Sequence, residues 1–154
     1  MPPAPTEAPP DVERRWLGHG LALRPSGPDT IGHDLVFVRN GDSRDLAPVS
    51  GAAGLAQDLA VALLTPPGSD PLNMDFGFDG LRVLTQDLTP PLVLEMLRLS
   101  ALRTVSADPR VAEVLDLVLT ETEPGTRRWQ VDITVRTVLG SALTTTIGEV
   151  AADG

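Results

Sequence analysis

The clearest hydrophobic pattern lies in the last third of the chain. From Arg127 to Val138, Trp129, Val131, Ile133 and Val135 alternate with Gln130, Asp132, Thr134 and Arg136. A period of two predicts a strand with one face buried. Val111–Thr120 reads as the strand before it, with Leu115, Leu117 and Leu119 expected on the core face. Between the two, Glu123-Pro124-Gly125-Thr126 carries Pro then Gly at its centre, as a type II turn prefers. Gly140-Ser141 turns the chain into Leu143–Val150, which is rich in threonine and weakly patterned. It reads as an edge strand with N–H and C=O groups open to a partner.

Upstream the apolar spacing becomes helical. Ser50 is expected to cap a helix from Gly51 to Leu64, with Ala52, Leu55, Ala56, Leu59, Ala62 and Leu63 in one stripe. A second helix is expected from Pro90, behind Thr89, to about Val105. Pro109 ends it by forcing Asp108 out of helical geometry. Its apolar residues run nearly all the way round, so its second cover is expected to come from another protein. The long loop Ser69–Gly80 is expected to be ordered, because Leu72, Met74, Phe76 and Phe78 are buried-type residues. A helical turn at Gly80–Leu84 follows. Before Ser50, three short strands are expected at Gly20–Arg24, Leu35–Val38 and Asp45–Val49, with a turn at Asn40-Gly41. The proline-rich residues 1–12 read as a flexible tail and 151–154 as a flexible end. The sum is a single α+β domain over residues 13–150. Two main helices pack on a mostly antiparallel sheet that ends in a strand meander.

Composition narrows the chemistry. The chain has 154 residues and a net charge of −9, and its basic residues are all arginine and scattered. Nucleic-acid binding needs a basic patch, so that class is set aside; Arg127-Arg128 reads as a solvated strand end. There is no cysteine, which excludes disulfides and thiolate chemistry. No apolar run is long enough to span a bilayer, and the N-terminus lacks the pattern of a secretory signal. The protein is expected to be made in the cytoplasm.

Three segments carry a family resemblance. The first is the leucine-rich helix running into Leu64-Thr65-Pro66-Pro67-Gly68, followed by Asp75-Phe76-Gly77. The second is the helix Pro90–Val105. The third is Asp108-Pro109-Arg110-Val111 leading into a strand, a turn and a strand. In this order they resemble the gene-25-type baseplate wedge family of contractile phage tails, shared with type VI secretion and extracellular contractile injection particles. The match runs roughly from Ile31 to Val138. The family's tripeptide is typically Glu-Pro-Arg, and here its first position is Asp108. The resemblance implies a non-catalytic sheath initiator without cofactor or metal, present in six copies in a six-fold baseplate and possessing two working surfaces. Thr65, Pro66, Pro67, Gly68, Asp75, Phe76, Gly77, Asp108, Pro109 and Arg110 would bind neighbouring wedge proteins. The edge Leu143, Thr144, Thr145, Thr146 and Ile147 would accept a strand of the sheath protein. Inner tube or hub proteins are further expected partners, and the assembled particle is the expected final location.

Enzymatic readings are weighed against this. Family members often carry the word lysozyme, and glycoside cleavage needs two facing carboxylates, one with a raised pKa. Glu95 has Arg98 one turn away, Asp108 precedes Arg110, and Glu113 starts a strand, so none is placed as a general acid. A cell-wall glycosidase remains the alternative, and a free-standing adaptor the third reading. His19 and His33 are expected in loops. Asp70, Asp75, Asp79 and Asp87 lack the spacing of a calcium loop. For Asp108-Pro109-Arg110 two readings stay open, and they can coexist. In one, Arg110 makes a local salt bridge. In the other it offers its planar fork to a partner, and Arg110→Ala leaves the domain folded.

Overall fold

The structure is a computed structural model and describes residues 8–27, 32–84, 88–122 and 128–151. The expected Glu123–Thr126 turn and the side chains of Arg127 and Arg128 lie outside the described residues. The architecture is a single α+β domain, as expected.

The C-terminal meander is antiparallel, with β7 (Val111–Glu121), β8 (Arg128–Thr137) and β9 (Ala142–Ala151) in that spatial order. β8 follows the alternation read from the sequence. Val131, Ile133 and Val135 are buried, Trp129 packs partly buried against the core, and Arg136 is exposed. The outer face is a cross-strand polar ladder. Arg136 Nη1 donates to Glu113 Oε2 at 2.6 Å, Thr134 and Thr144 hydroxyls meet at 3.1 Å, and Thr146 donates to Asp132 at 2.6 Å. That arrangement suits a face turned to water.

β7 departs from simple alternation. Register shifts leave Ala112 and Leu115 without a partner on β8, so these are β-bulges. Each extra residue flips the pleat, and the core face becomes Val111, Val114, Leu117 and Leu119. Leu115, expected inside, is 40% exposed. Strict period two cannot reveal a bulge, because the cause lies in the neighbouring strand.

Two helices lie on the inner face of this sheet. α2 (Gly51–Leu64) packs against β9, and the later helix α4 (Pro90–Ser106) packs against β7. Leu55, Leu59 and Leu63 of α2 and Leu97, Ala101 and Val105 of α4 are buried between helices and sheet. Both helices have the bounds that their flanking prolines predict to within one residue. Leu92 and Leu99 of α4 remain about half exposed, so one side of that helix is uncovered. Between them the short α3 (Gly80–Leu84) adds Val83 to the core.

The N-terminal region holds the two largest surprises. A helix, α1 (Pro10–Leu17), occupies part of the segment read as tail. It has Pro at its first position, acids in its first turn and arginines in its last, and it buries Leu17 completely. It also serves the start of α2. Ser50 makes no side-chain cap; instead Gly51 N–H donates to the Gly18 carbonyl at 3.1 Å. The Glu13 carboxylate lies against Gly51, at the positive end of the α2 dipole.

The three expected strands are each broken in the middle. β1 (His19–Leu21) pairs with β6 (Pro48–Ser50), β2 (Leu23–Pro25) with β3 (His33–Leu35), and β4 (Phe37–Asn40) with β5 (Ser43–Leu46). The breaks at Ala22, Val36 and Ala47 meet at one point. Ala22 N–H donates to Ala47 O, Ala47 N–H to Val36 O, and Val36 N–H to Ala22 O, all at 2.8–2.9 Å. Three backbones thus share a cyclic junction, and the small Ala22 and Ala47 side chains leave room for it. The Gln57 amide on α2 bridges the first break. It accepts from Leu23 N–H at 2.7 Å and donates to Leu21 O at 2.9 Å. No buried backbone group at the junction has to go unpaired for want of a ladder.

Candidate functional site

The loop that joins α2 to α3 is held by its own backbone. Gly68 N–H donates to Met74 O at 3.0 Å, Asn73 N–H to Asp70 O at 3.1 Å, and Phe76 N–H to Asn73 O at 3.1 Å. The Asp70 carboxylate accepts from Leu72 N–H at 2.9 Å. The loop closes where Phe78 N–H donates to Thr65 O at 2.8 Å. Order was expected, but not its cause. Of the four anchors named, Phe78 is buried and Phe76 half-buried, while Met74 is 60% and Leu72 97% exposed. Gly77 makes the closure possible. Its φ is 120°, and a Cβ there would strike the Thr65 carbonyl oxygen and lie 3.0 Å from backbone atoms of Pro66 and Pro67. The Pro-Pro-Gly and Phe-Gly pieces of the sequence are therefore two sides of one contact.

This loop, α2 and the end of α4 enclose a cleft of about 890 Å³. Pro67, Asp75, Phe76 and Gly77 line one side of it, and Asp108, Pro109 and Arg110 another. Residues singled out from two distant stretches of sequence are thus brought together. Leu59, Val61 and Ala62 of α2 supply apolar lining. Thr65, Pro66 and Gly68 do not line the cleft. Thr65 Oγ1 donates to Val61 O at 2.7 Å, and Pro66 O accepts from the Ser69 hydroxyl at 2.7 Å. From α4, Ser100 Oγ bonds Asp79 and Thr104 Oγ1 donates to Gly77 O at 3.2 Å, fastening the loop to the helix.

Arg110 is the electrostatic centre of the cleft, and its fork points into the protein. Nε donates to Asp108 Oδ1 at 2.9 Å and Nη2 to Asp108 Oδ2 at 2.6 Å, a bidentate pair. Nη1 donates to Asp58 Oδ2 at 2.8 Å and to Leu17 O at 2.9 Å. One side chain therefore ties α1, α2 and the α4–β7 corner together. The local salt bridge is the geometry found. Asp58 and the Leu17 carbonyl were not singled out from the sequence, and only their proximity to Arg110 marks them.

Burial pushes the Asp108 carboxyl up, but hydrogen bonds from the Arg110 side chain and backbone, with the guanidinium charge, outweigh it. Its pKa is held below the ordinary carboxylate value. The Arg110 pKa is raised, first by its hydrogen bond to Asp108, against desolvation. A depressed carboxylate stabilises the fold above its unfolded pKa of about 3.9 and loses that contribution as pH falls through the lower folded value. Acid titration of the Asp108→Asn variant beside the parent checks this. The parent's extra stability at neutral pH is expected to vanish below pH about 4, and a difference that persists unchanged to the lowest pH would refute it.

The second predicted surface lies on the sheet. Leu143 to Ile147 fall in β9, which pairs only with β8 among the described residues. β9 and β7 are thus the two borders of the meander. The bulges at Ala112 and Leu115 interrupt β7, whereas pairing from Ala142 to Ile147 is regular. A bulged border resists strand addition and a regular one permits it.

The carboxylates weighed for catalysis are scattered. Glu95 is exposed on α4, Glu113 pairs with Arg136 on the outer sheet face, and Asp108 is bound to Arg110. His19 and His33 lie in strands rather than loops, each in a different small sheet. Among the described residues no three His, Asp or Glu side chains form a group able to hold a metal ion, and no helix is long and apolar enough to cross a membrane. Asp87 lies outside the described residues.

No protein-family model and no curated protein sequence matches the chain. Solved structures do. A chain of the six-fold symmetrised anti-feeding prophage baseplate matches with a TM-score of 0.57 and 20% identity, over 81% of this chain and 89% of that one. The chain has the fold of a baseplate protein. A Geobacter sulfurreducens protein described as a "putative tail lysozyme" matches with a TM-score of 0.54 and 18% identity, over 64% of this chain and 88% of that one. At these identities the likeness is one of fold.

Proposed function

We propose that this protein is a non-catalytic structural component of the baseplate of a contractile injection system. It docks on wedge proteins and starts sheath assembly by accepting a sheath strand. The observation that carries the reading is the fold shared with a baseplate chain over most of both lengths. Two features of this chain support the roles within it. The cleft gathers the family-like residues Pro67, Asp75–Gly77 and Asp108–Arg110, beside the exposed Leu72 and Met74 and near the uncovered side of α4. These form the wedge-facing surface. Here Arg110 acts by holding the corner in shape, and the loop and Pro109 make the contact. The regular stretch of the β9 border, Ala142 to Ile147, forms the sheath-facing surface, where main-chain hydrogen bonds supply affinity. Six copies per baseplate, inner tube or hub contacts, and synthesis in the cytoplasm before incorporation belong to the same proposal.

A lysozyme-like activity is the rival, suggested by the description of the Geobacter protein. Glycosidases hold one acid with a raised pKa, whereas Asp108 is shifted the other way. Peptidoglycan release that disappears in Glu95→Gln or Asp108→Asn would favour the rival. A free-standing adaptor would purify without sheath and tube proteins.

The strand-addition role has a direct test. Thr137 N–H donates to Ser141 O. By the alternation of an antiparallel ladder, the amides of Leu143 and Thr145 then face β8, and those of Ala142, Thr144 and Thr146 face outward. Thr144→Pro removes an outward donor only. The variant is expected to melt within a few degrees of the parent yet lose sheath co-assembly with the baseplate in electron micrographs. Normal sheath growth on Thr144→Pro baseplates would end the proposal. Thr145→Pro, by contrast, breaks the β8 ladder and destabilises the domain.

A further inference from the structure

We infer that the β4–β5 hairpin is a docking arm for an acidic protein segment, separate from both surfaces above. In its register Arg39 lies directly opposite Arg44, and Phe37 opposite Leu46. Positions two apart on a strand share a face, so both arginines stand beside Phe37 on one side of the hairpin. Phe37 is 62% exposed and both arginines are exposed. Among the described residues neither guanidinium has an ion pair or a hydrogen bond. Asp45, the nearest acid along β5, stands opposite Val38 on the other face and accepts from Leu46 N–H at 2.8 Å.

Like charges placed directly opposite each other destabilise a strand pair. A two-stranded hairpin with little packing beneath it has small reserves to absorb that cost. An anion across the pair relieves that repulsion, and carboxylates match the arginine fork. Same-face residues of an extended segment lie about 7 Å apart, the step from Arg39 to Phe37 along β4. A segment laid along β4 therefore sets a carboxylate across the two guanidiniums and, two residues on, an apolar side chain over Phe37. The long arginine side chains reach a second carboxylate one same-face step towards the turn. The occupant is an extended protein segment with the same-face pattern acid, acid, apolar. On a chain whose net charge is −9, the two exposed arginines alone give this small face its charge complementarity to such a segment.

The test uses the full chain and a synthetic peptide, acetyl-Thr-Glu-Thr-Glu-Thr-Leu-Thr-amide, followed by NMR. Arginine Nε–Hε signals of Arg39 and Arg44 and the Phe37 ring are expected to shift on titration. Affinity is expected to fall about tenfold or more in Arg39→Glu/Arg44→Glu, as loss of two ion pairs entails, and to fall with added salt. Phe37→Ala, which leaves the charges in place, is expected to weaken binding less. Circular dichroism checks that each variant is folded. Equal binding of the peptide with glutamine in place of glutamate overturns the inference, as does undiminished binding to the charge-reversed variant. Tighter binding of a DNA duplex at the same residues assigns the face to phosphate and overturns it. Self-association that depends on Arg39 and Arg44 in sedimentation assigns it to a second copy and also overturns it. None of these readouts requires an assembled particle, so their failure leaves the baseplate proposal standing.

Discussion

Arg110→Ala is expected to destabilise the isolated domain by about 2–4 kcal/mol, lowering its melting temperature by about 5–15 °C. The magnitude follows from what the side chain holds. Its removal leaves the Asp108 carboxylate, 17% exposed, without the bidentate partner that outweighs its desolvation. The Leu17 carbonyl loses its donor, and Asp58 loses its ion pair. Removing one partner of a well-buried pair costs about 3–5 kcal/mol. The 24% exposure of Arg110 and the half-exposure of Asp58 place this case lower in scale. The damage is expected to be local first. Hydrogen exchange should speed up at the N-terminus of α2, where Gly51 N–H depends on the seating of α1, before it does so in β8. Arg110→Lys retains a charge without the fork and is expected to recover less than half of the loss. A change below about 0.5 kcal/mol, the range of an ordinary surface substitution, would show that the fork contributes little to the fold. A folded Arg110→Ala domain that fails to join particles would then favour the partner-docking reading.

Gly77→Ala is expected to cost a similar amount, about 2–4 kcal/mol, for a different reason. At φ 120° a side chain is strained, and the atoms a Cβ would meet are backbone atoms of Thr65, Pro66 and Pro67, which cannot rotate away. Relief requires the loop to lift. That breaks the Phe78 N–H bond to Thr65 O and the Thr104 bond to Gly77 O, and draws Phe78 from its buried position. Gly41→Ala is the control. Gly41 also has positive φ, 63°, but a Cβ there meets nothing within 4 Å. Its cost is the conformational term alone, about 1–2 kcal/mol. Chemical denaturation of the two variants separates strain from collision. Equal losses would show that the close approach at Gly77 is not a stabilising constraint. Because the Gly77 loop walls the cleft, the same variant is expected to lose the wedge-protein binding proposed for that surface even where it remains folded.

Much of the candidate site is legible in the sequence. Pro-Pro-Gly, Phe-Gly and Asp-Pro-Arg stand out there, and the structure gathers Pro67, Phe76, Gly77 and Asp108–Arg110 around one cleft. What those residues do there was less legible. Gly77 marks a backbone-to-backbone contact, and Arg110 is engaged inside the fold. A residue type carries its chemistry in the sequence, but not the direction in which its side chain is turned. The helix α1 was missed because proline-rich neighbours masked its end signals. The exposed Leu72 and Met74 were misjudged because an apolar residue in a loop can be turned either way.

Sequence alone determined the elements whose causes are local. Pro66, Pro90 and Pro109 bound α2 and α4 through missing N–H groups and fixed φ. The alternation of β8 assigns its faces, and the final strand reads as an open border because its own pattern is weak. Only the tertiary structure decided the features whose causes lie far along the chain. The three-way junction needs Ala22, Val36 and Ala47 to exchange hydrogen bonds. The bulges of β7 exist only relative to β8, and the fork of Arg110 closes on a carbonyl 93 residues away. Local propensity acts over a few residues. A hydrogen bond between distant segments forms only once burial has brought them together, so no local window contains it.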